Sequence, residues 1–267
     1  MRQPSCLYER AAENGELDAL WDIRDNCTLF TGPLYYNASH QHGAPVFLAG
    51  LYGKFQLRLH GGDWLLCRTA IIPAGVLHEL DVGGEPIAVL YIEPVFGGAD
   101  VFKPLIDNSR TLNGALIGNG GEINCMRDLY EGRYKPDWTT DALQDLLGYS
   151  QRRAQAEAID PRLTRIVDYL FEHGDDLTSV AALAAQVGLS PSRFQHLFSQ
   201  QIGVPFRRYR GWNRMRQAIR EIIRGHNFTT AAHATGFTDS AHFSHEYRKI
   251  FGTSPTIGLH RLARLQL

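Results

Sequence analysis

Hydrophobic residues recur at a helical period near the end of the chain, between Ala231 and Pro255. Small residues predict a short helix that ends at Gly236, because glycine takes a positive φ at a helix C-terminus without steric cost. Thr238 or Asp239 then caps a second helix. Its apolar residues stand at positions i, i+4, i+7 and i+8: Phe243, Tyr247, Ile250 and Phe251. The pattern predicts two helices joined by a tight turn, with one stripe of the second helix buried.

The same pattern occurs a second time upstream, from Val180 to Pro205. Residues of the second helix match between the two copies at an offset of 49 residues. The matched pairs are Phe194 with Phe243, Phe198 with Tyr247, Ile202 with Phe251 and Gly203 with Gly252. The chain is therefore predicted to contain an internal repeat of a helix-turn-helix unit.

A single helix is predicted between the two units. Residues 206–224 place apolar side chains at helical spacing: Phe206, Tyr209, Trp212, Met215, Ile219 and Ile222. A helix of about 19 residues is about 28 Å long, which is close to the ~34 Å between successive major-groove faces on one side of a duplex. One linker helix can therefore hold both helix-turn-helix units on the same side of a DNA duplex.

The outward stripe of the second helix in the downstream unit carries small, hydrogen-bonding and basic side chains: Ser240, Ala241, His242, Ser244, His245 and Arg248. Such side chains suit a helix in a DNA major groove, where base edges present donors and acceptors. The alternative interpretation is an ordinary solvated helix. The occurrence of the pattern in two copies weakens that alternative.

Residues from about 160 to 267 resemble the DNA-binding domain of AraC/XylS-type transcription regulators. The most specific matching run is GF, a short turn, HFS and then FGTSP in the downstream unit. The resemblance implies base-facing positions on both second helices, at Ser192, Gln195, His196, Ser240, Ala241, His242, Ser244 and His245. Arg193 and Arg248 are further DNA-binding candidates on the same helices. Members of the family often carry arginine where this chain has His196 and His245, which leaves the base preference open.

Short β-rich runs alternate with glycine turns from Cys27 to Glu93, which predicts a small antiparallel barrel or sandwich. The sheet is predicted to end at Glu93 and Pro94. The composition then becomes helical, and helices are predicted over residues 100–106, 124–132 and 139–153. This region precedes the helix-turn-helix repeat.

Two histidine motifs lie in the β-rich half. The runs HQH at residues 40–42 and PAGVLH at residues 73–78 resemble the two cupin motifs, HxH and PxGxxH, at about the expected separation. The resemblance implies that His40, His42 and His78 converge inside a barrel. There they would bind a divalent metal, hydrogen-bond an organic effector, or close the barrel mouth as structural histidines. The glutamate that usually follows HxH is replaced here by Val46 and Phe47, and the late asparagine of the second motif is absent.

Eight further residues are candidates for the pocket or for the surface of this half: Phe55, Leu57, Arg58, His60, Trp64, Cys67, Arg68 and Tyr91.

The predicted fold class is α+β, with an N-terminal cupin-like antiparallel β-barrel and flanking helices, then a C-terminal all-α domain with two helix-turn-helix motifs. The predicted domains are 1–98 for effector sensing, 99–158 for dimerisation or linkage, and 159–267 for DNA binding. In the middle region Leu143, Leu146 and Leu147 either pack on the barrel or pair the two subunits of a homodimer.

The net charge of −1 hides an asymmetry between the two halves. From residue 160 onward the chain has 14 Lys and Arg residues and 8 Asp and Glu residues. The part before residue 160 has 13 Lys and Arg residues and 20 Asp and Glu residues. The basic half supplies the attraction to phosphates that DNA binding requires, and the acidic half would be repelled by DNA.

The chain lacks a long apolar run. We therefore expect neither a membrane anchor nor a signal peptide, and we expect the protein to be cytoplasmic. The dispersed cysteines argue against a structural zinc site or a disulfide framework: Cys6, Cys27, Cys67 and Cys125.

These features predict a sequence-specific DNA-binding transcription regulator controlled by a small-molecule or metal effector in its N-terminal domain. The expected partners are double-stranded promoter DNA, the effector, RNA polymerase and a second copy of the chain. No association with a membrane is expected. No catalysis is expected. A metal-dependent cupin enzyme, such as an oxygenase or isomerase with a DNA-binding tail, is the main alternative, and the missing acidic ligand speaks against it. A DNA-repair protein would need a cysteine cluster. The effector, the target promoters and the choice between activation and repression stay open.

Overall fold

The N-terminal half is built from antiparallel sheets. The computed structural model describes residues 19–131, 136–154, 159–173 and 178–259. A seven-stranded sheet consists, in spatial order, of β1 (Leu20–Ile23), β2 (Cys27–Pro33), β9 (Pro86–Ile92), β4 (Val46–Gly50), β7 (Thr69–Ile72), β12 (Ala115–Gly118) and β11 (Arg110–Leu112). A four-stranded sheet consists of β3 (Tyr36–His40), β8 (His78–Asp81), β5 (Phe55–Leu59) and β6 (Trp64–Cys67). A short ladder joins β10 (Ile106–Asp107) to β13 (Gly120–Gly121).

The burial of each strand follows from the layers that cover it. Strand β4 is buried throughout, because both of its faces are covered. Val46 and Leu48 belong to a core that continues into the C-terminal half, whereas Phe47 and Ala49 belong to a second core beneath a pair of helices. In β5 the buried side chains alternate with more exposed ones, because one face of the four-stranded sheet meets solvent.

Helices α1 (Ile123–Glu131) and α2 (Pro136–Ala154) cover the far face of the seven-stranded sheet. They follow two short 3₁₀ helices, Pro94–Phe96 and Ala99–Leu105. Leu143 and Leu147 are fully buried in this second core, with Leu146 packed at its edge. Of the two interpretations of the leucine stripe, the structure therefore shows packing on the sheet.

One expectation for the middle region is wrong, and a second is confirmed with a different type of helix. The sheet does not end at Glu93, because β12 pairs with β7 and β11 pairs with β12. These strands are only three and four residues long, too short for a periodicity to separate them from loops. The predicted helix at 100–106 is a 3₁₀ helix, and Pro104 inside it cannot donate the backbone hydrogen bond that an α-helix would need.

The α+β fold class is confirmed, with a β-rich N-terminal half and a helical C-terminal half. Across the described ranges the strands form separate sheets, and no ladder closes them into a single barrel. The boundaries predicted at residues 98 and 158 stay a prediction. No helix in the part of the chain that the structure describes is long and apolar enough to cross a membrane.

The C-terminal half consists of seven helices within the described residues: α3 (Pro161–His173), α4 (Val180–Gln186), α5 (Pro191–Ile202), α6 (Phe206–Ile223), α7 (Phe228–Ala234), α8 (Ser240–Phe251) and α9 (Pro255–Gly258). Helices α4 and α5 form one helix-turn-helix unit, α7 and α8 form the other, and α6 joins them. The 18 residues of α6 span about 27 Å. The predicted repeat and linker helix are present.

Matching caps begin and end the second helix of each unit. Ser190 accepts a hydrogen bond from the backbone N–H of Arg193 at 3.2 Å, and Asp239 accepts one from His242 at 2.7 Å. Asp239, and not Thr238, is therefore the cap of α8. Each helix ends at a glycine in the left-handed conformation, Gly203 after α5 and Gly252 after α8.

The two halves pack directly against each other and share one apolar core. A Cβ atom added to Gly43, in the loop after β3, would lie 2.5 Å from the Cβ of Trp212 on α6. A Cβ added to Gly252 would lie 2.2 Å from the carbonyl oxygen of Ala38 on β3. Glycine thus permits close backbone approach at both places, and the sheet half holds both the linker helix and the end of α8.

Candidate functional site

The residues predicted to read DNA lie on the outer sides of α5 and α8. Ser192, Arg193, Gln195 and His196 are all exposed on α5. On α8, Ala241, His245 and Arg248 are exposed, whereas Ser240, His242 and Ser244 are half-buried near the start of the helix. The opposite faces of both helices are buried through their phenylalanines and Tyr247. The two helices therefore present the predicted residues outward.

His242 is held in a defined orientation at the start of α8. The backbone N–H of Thr238 donates to its Nδ1 at 3.3 Å, and the Thr238 hydroxyl lies 3.1 Å from the same atom. Because Nδ1 accepts, the proton of the neutral ring stands on Nε2. The ring also packs edge-on against Phe237, with centroids 5.4 Å apart. His242 can thus present a fixed N–H donor to an acceptor such as a guanine or a phosphate oxygen.

The three motif histidines converge in one buried cluster. His40 ends β3, His78 begins β8, and the two residues are directly paired across these strands. The ring centroids lie 4.2 Å apart for His40 and His78, 4.8 Å for His40 and His42, and 4.9 Å for His42 and His78. One ring nitrogen from each lies within 4.8 Å of the others. The predicted convergence is therefore present, and none of the three side chains exceeds 4% exposure.

Backbone carbonyl groups fix two of these rings. Nδ1 of His40 donates to the carbonyl oxygen of Ala38 at 2.7 Å, and Nδ1 of His78 donates to that of Val76 at 2.9 Å. Since a carbonyl only accepts, Nε2 of each neutral ring carries a lone pair. Nδ1 of His42 is buried and has no hydrogen-bond partner of good geometry among the described residues. The backbone of Ile250 lies close to the His42 ring and favours the charged form of this histidine.

Burial keeps the cluster uncharged at neutral pH. Burial, followed by repulsion from the neighbouring imidazoles, holds the pKa of both His40 and His42 well below 6.5. Burial lowers the pKa of His78 to about 4. The Tyr91 hydroxyl, whose pKa burial raises well above 10, stays protonated and lies 3.4 Å from Nε2 of His42. The cluster is therefore a set of neutral nitrogen donors.

The histidines line one end of a cavity that lies between the two halves of the molecule. The cavity, together with the open space at its mouth, amounts to about 450 Å³. Its N-terminal wall comes from the histidines and apolar residues of both sheets. Its opposite wall comes from the C-terminal half: Tyr247, Phe251, Thr253 and Gly258. This second wall could not be predicted from the sequence, because no periodic pattern reveals which residues meet across a domain interface.

Hydrogen bonds hold that second wall against the sheets. The side chain of Asn37 donates to the carbonyl oxygen of Phe251 at 2.9 Å, and the backbone N–H of Ala38 donates to that of Gly252 at 2.8 Å. The indole of Trp21 donates to the carbonyl oxygen of Gly258 at 3.3 Å. The C-terminal end of α8 is thus bonded to β3, the strand that also carries His40.

A buried ion pair forms a second connection between the halves. The carboxylate of Glu93 lies 2.7 Å from the Arg216 guanidinium, at 3% and 2% side-chain exposure. It accepts hydrogen bonds from Trp212 Nε1 and from the Tyr209 hydroxyl, both at 2.9 Å. Arg216 also donates to Thr28 at 2.9 Å. The sequence signal for this network was a charged residue, Arg216, placed four residues after Trp212 on the apolar stripe of α6.

The eight further pocket candidates divide between the core, the cavity and the surface. Only Tyr91 lines the cavity. Phe55, Leu57 and Cys67 are core residues. Arg58 lies on the outer face of the four-stranded sheet, 4.7 Å over the ring of Trp64. His60 is exposed, and Arg68 donates to the carbonyl oxygen of Leu51 at 2.9 Å.

Comparison with known proteins shows similarity along most of the chain. Residues 183–257 match a family model described as a helix-turn-helix domain. The chain is 31% identical over 228 residues to the arabinose operon regulatory protein of Salmonella typhimurium, covering 74% of this chain and 77% of that protein. It is 32% identical over 230 residues to the probable transcriptional regulator LumQ of Photobacterium leiognathi, covering 81% and 90%. With the Escherichia coli arabinose operon regulatory protein the match is 33% over 134 residues and spans only 45% of that protein.

Solved structures share the two-part arrangement. An apo form of ToxT from Vibrio cholerae gives a TM-score of 0.62 at 12% identity, covering 91% of this chain and all of that one. Wild-type ToxT bound to an unsaturated fatty acid gives a TM-score of 0.58 at 13% identity, with 92% of this chain covered. At this level of identity the comparison establishes a common fold. The sheets, the flanking helices and the helical pair of units therefore occur together elsewhere.

Proposed function

Because this chain belongs to the AraC/XylS family of transcription regulators, we propose that it binds promoter DNA through α5 and α8 under the control of an effector in the cavity between its halves. The observation that carries the proposal is the shared cavity. One wall is the histidine cluster of the sheets, and the other wall includes Tyr247 and Phe251 of α8. An occupant of the cavity therefore touches the helix that reads DNA.

The outward residues of α5 and α8 divide into two roles. Gln195 and His242 carry hydrogen-bonding groups suited to base edges, and each reads particular base positions. Arg193 and Arg248, which are exposed, attract phosphates and position the helices. Helix α6 holds the two reading helices at a fixed spacing, so each subunit recognises two short blocks about one helical turn apart on one face of the duplex.

Control of DNA binding operates through the end of α8. Asn37 and Ala38 hold the last residues of that helix by backbone carbonyl groups, and His40 lies two residues further along the same strand. An effector that binds more tightly to one arrangement of β3 and α8 than to another shifts the population toward that arrangement. The reading residues at the start of α8 move with the helix, and the affinity for the promoter changes.

Further features of the proposal concern partners and compartment. The protein acts as a homodimer with RNA polymerase as a partner, in the cytoplasm, and it catalyses no reaction. Leu143 and Leu147 are buried against the sheet. A dimer contact through α2 therefore uses outward residues of that helix such as Tyr149, which is 44% exposed.

Selection of bound duplexes from a random pool by the full-length protein tests the DNA-binding part of the proposal. We expect two conserved blocks about 10 base pairs apart, centre to centre. Gln195→Ala or His242→Ala should then cost about 1 to 3 kcal/mol at individual base positions, whereas Arg248→Ala should weaken all sequences alike and flatten the salt dependence. Uniform weakening by all three changes, or a single enriched block, contradicts the assigned reading faces.

A further inference from the structure

We propose that the cavity between the two halves binds an uncharged organic molecule that has an apolar ring and at least one hydroxyl or N–H group, as a phenol does. This inference rests on the proposed function, because it names the chemical class of the effector. It is carried by the hydrogen bonds of the polar groups in the cavity and by the side chains that surround them.

The histidine end of the cavity offers hydrogen-bond acceptors. Nδ1 of His40 and Nδ1 of His78 each donate to a backbone carbonyl oxygen, so the lone pair of each neutral ring lies on Nε2. No group among the described residues donates to either Nε2 atom. A buried acceptor without a donor costs free energy. A molecule in the cavity that has a hydroxyl or N–H group removes that cost, whereas a plain hydrocarbon does not.

The described part of the cavity wall has no charge that would pair with an ionised ligand. Burial keeps His40, His42 and His78 neutral, and the other described lining residues carry no formal charge. A carboxylate or ammonium group that moves from water into such a site leaves its hydration shell without gaining a counter-charge, which is costly. The occupant is therefore uncharged at neutral pH.

Aromatic rings from both halves surround the rest of the cavity. Trp21, Phe30 and Tyr91 belong to the sheets, and Tyr247 and Phe251 belong to α8. Trp21 packs edge-on against Phe30 and Phe251, with ring centroids 5.1 and 6.0 Å apart. A further ring can join such an arrangement through edge-to-face or offset contacts. Four aliphatic side chains complete the apolar lining: Leu34, Leu48, Leu80 and Val89. The body of the occupant is therefore apolar, and a planar ring is favoured.

The hydroxyl of Tyr247 gives the ligand a second contact, on the reading helix itself. It makes no hydrogen bond among the described residues, and burial raises its pKa well above 10, so it stays protonated. A ligand that donates at the histidine end and accepts from Tyr247 bonds to the sheets and to α8 at once. Such a ligand favours one arrangement of β3 and α8 over another.

Calorimetric titration of the full-length protein with three matched probes tests the ligand class. p-Cresol has a hydroxyl on an apolar ring, toluene lacks the hydroxyl, and p-toluate has a carboxylate in its place. In buffer with EDTA, p-cresol should bind with a dissociation constant of roughly 0.1 mM. Toluene should bind at least about 10-fold more weakly, because it leaves the acceptors unpaired, and p-toluate should not bind.

Three results overturn the proposal. The first is a dissociation constant for p-cresol above about 1 mM, which is too weak for a ligand of this size that fills a matched site. The second is equal binding of p-cresol and p-toluate. The third is binding of p-cresol only after Zn²⁺ is added, because the ligand would then bond to a metal ion and not to the imidazoles.

Two variants locate the hydrogen bond. In His78→Asn the amide nitrogen replaces Nδ1 and can still donate to the Val76 carbonyl, but the acceptor Nε2 is lost. Its affinity for p-cresol should fall at least about 10-fold, with its affinity for toluene unchanged. His233→Asn removes an exposed histidine of α7 and should bind both probes like the wild type. Unchanged p-cresol binding by His78→Asn, or an equal loss of both probes, overturns the assignment. If His78→Asn fails to fold, His40→Asn replaces it in the same comparison.

Binding to the selected duplex, measured with and without p-cresol, separates this inference from the proposed function. Specific DNA binding by a protein that takes up no p-cresol leaves the proposed function standing and removes the ligand class. Binding of p-cresol with unchanged DNA affinity supports the ligand class and removes its control of DNA binding. A change in DNA affinity that His78→Asn abolishes supports both.

Discussion

Replacing Glu93 with glutamine should lower the free energy of unfolding of the whole protein by about 3 kcal/mol. Glutamine keeps the shape of the side chain and can still accept from Trp212 Nε1 while donating to the Tyr209 oxygen. It cannot neutralise Arg216, whose side chain is 2% exposed. Removing one partner of a buried ion pair costs about 3–5 kcal/mol, and the retained hydrogen bonds place this change at the lower end.

The change should be visible in both thermal and denaturant unfolding of the full-length protein. For a chain of this length, 3 kcal/mol corresponds to a fall in melting temperature of roughly 6 to 12 °C. Glu221→Gln is the matched control, since Glu221 contacts Arg224 at 2.6 Å and His226 at 2.8 Å near the surface. These partly exposed contacts should together contribute about 1 kcal/mol or less.

A second substitution tests whether the lost counter-charge is the cause. Adding Arg216→Met to Glu93→Gln removes the orphaned guanidinium and replaces it with an apolar side chain of similar length. The double variant should be more stable than Glu93→Gln alone, because a buried pair can often be replaced by apolar residues without loss. A loss below about 1 kcal/mol for Glu93→Gln, or a double variant that is less stable than the single one, would refute this account of the network.

Three further outcomes are expected. Inserting about five base pairs between the two selected DNA blocks should abolish specific binding, because the insertion rotates one block by half a turn away from the helix that contacts it. Unchanged affinity would contradict the proposal that α5 and α8 contact the two blocks at a fixed spacing. Gly252→Ala should lower stability by at least about 1 kcal/mol and alter effector control, since its φ is +70° and the added Cβ would meet Ala38; wild-type melting would contradict the close contact. Cys27 and Cys67, whose thiol pKa burial raises to about 12, should resist alkylation at pH 8 in the folded protein and react after denaturation.

The reading units could be predicted from the sequence because their signals are local. A cap such as Ser190, a stripe such as Phe194 and Phe198, and a closing glycine, Gly203, all lie within 14 residues, and the repeat presents them twice. The convergence of the histidine motifs was instead implied by their resemblance to the two cupin motifs. In the structure, strand pairing brings His40 opposite His78.

The interface between the halves could not be predicted, because its partners are far apart in the chain. Glu93 bonds to residues more than 100 positions away, and no spacing rule connects them. Strands β11 and β12 were missed for a related reason. Each gains its order from pairing with a neighbouring strand of the sheet, and three or four residues carry too little pattern of their own.

The buried Glu93 network has a consequence for engineering biosensors from such regulators. A chimera that joins the sensor half of one regulator to the DNA-binding half of another would be cut in the connecting segment. Here a cut between residues 158 and 159 would give the sensor a buried carboxylate without its three donors, and would give the recipient of α6 an unneutralised Arg216. A working chimera should therefore transplant Glu93 and Thr28 together with Tyr209, Trp212 and Arg216, so that the whole buried network between the two halves is exchanged as one unit.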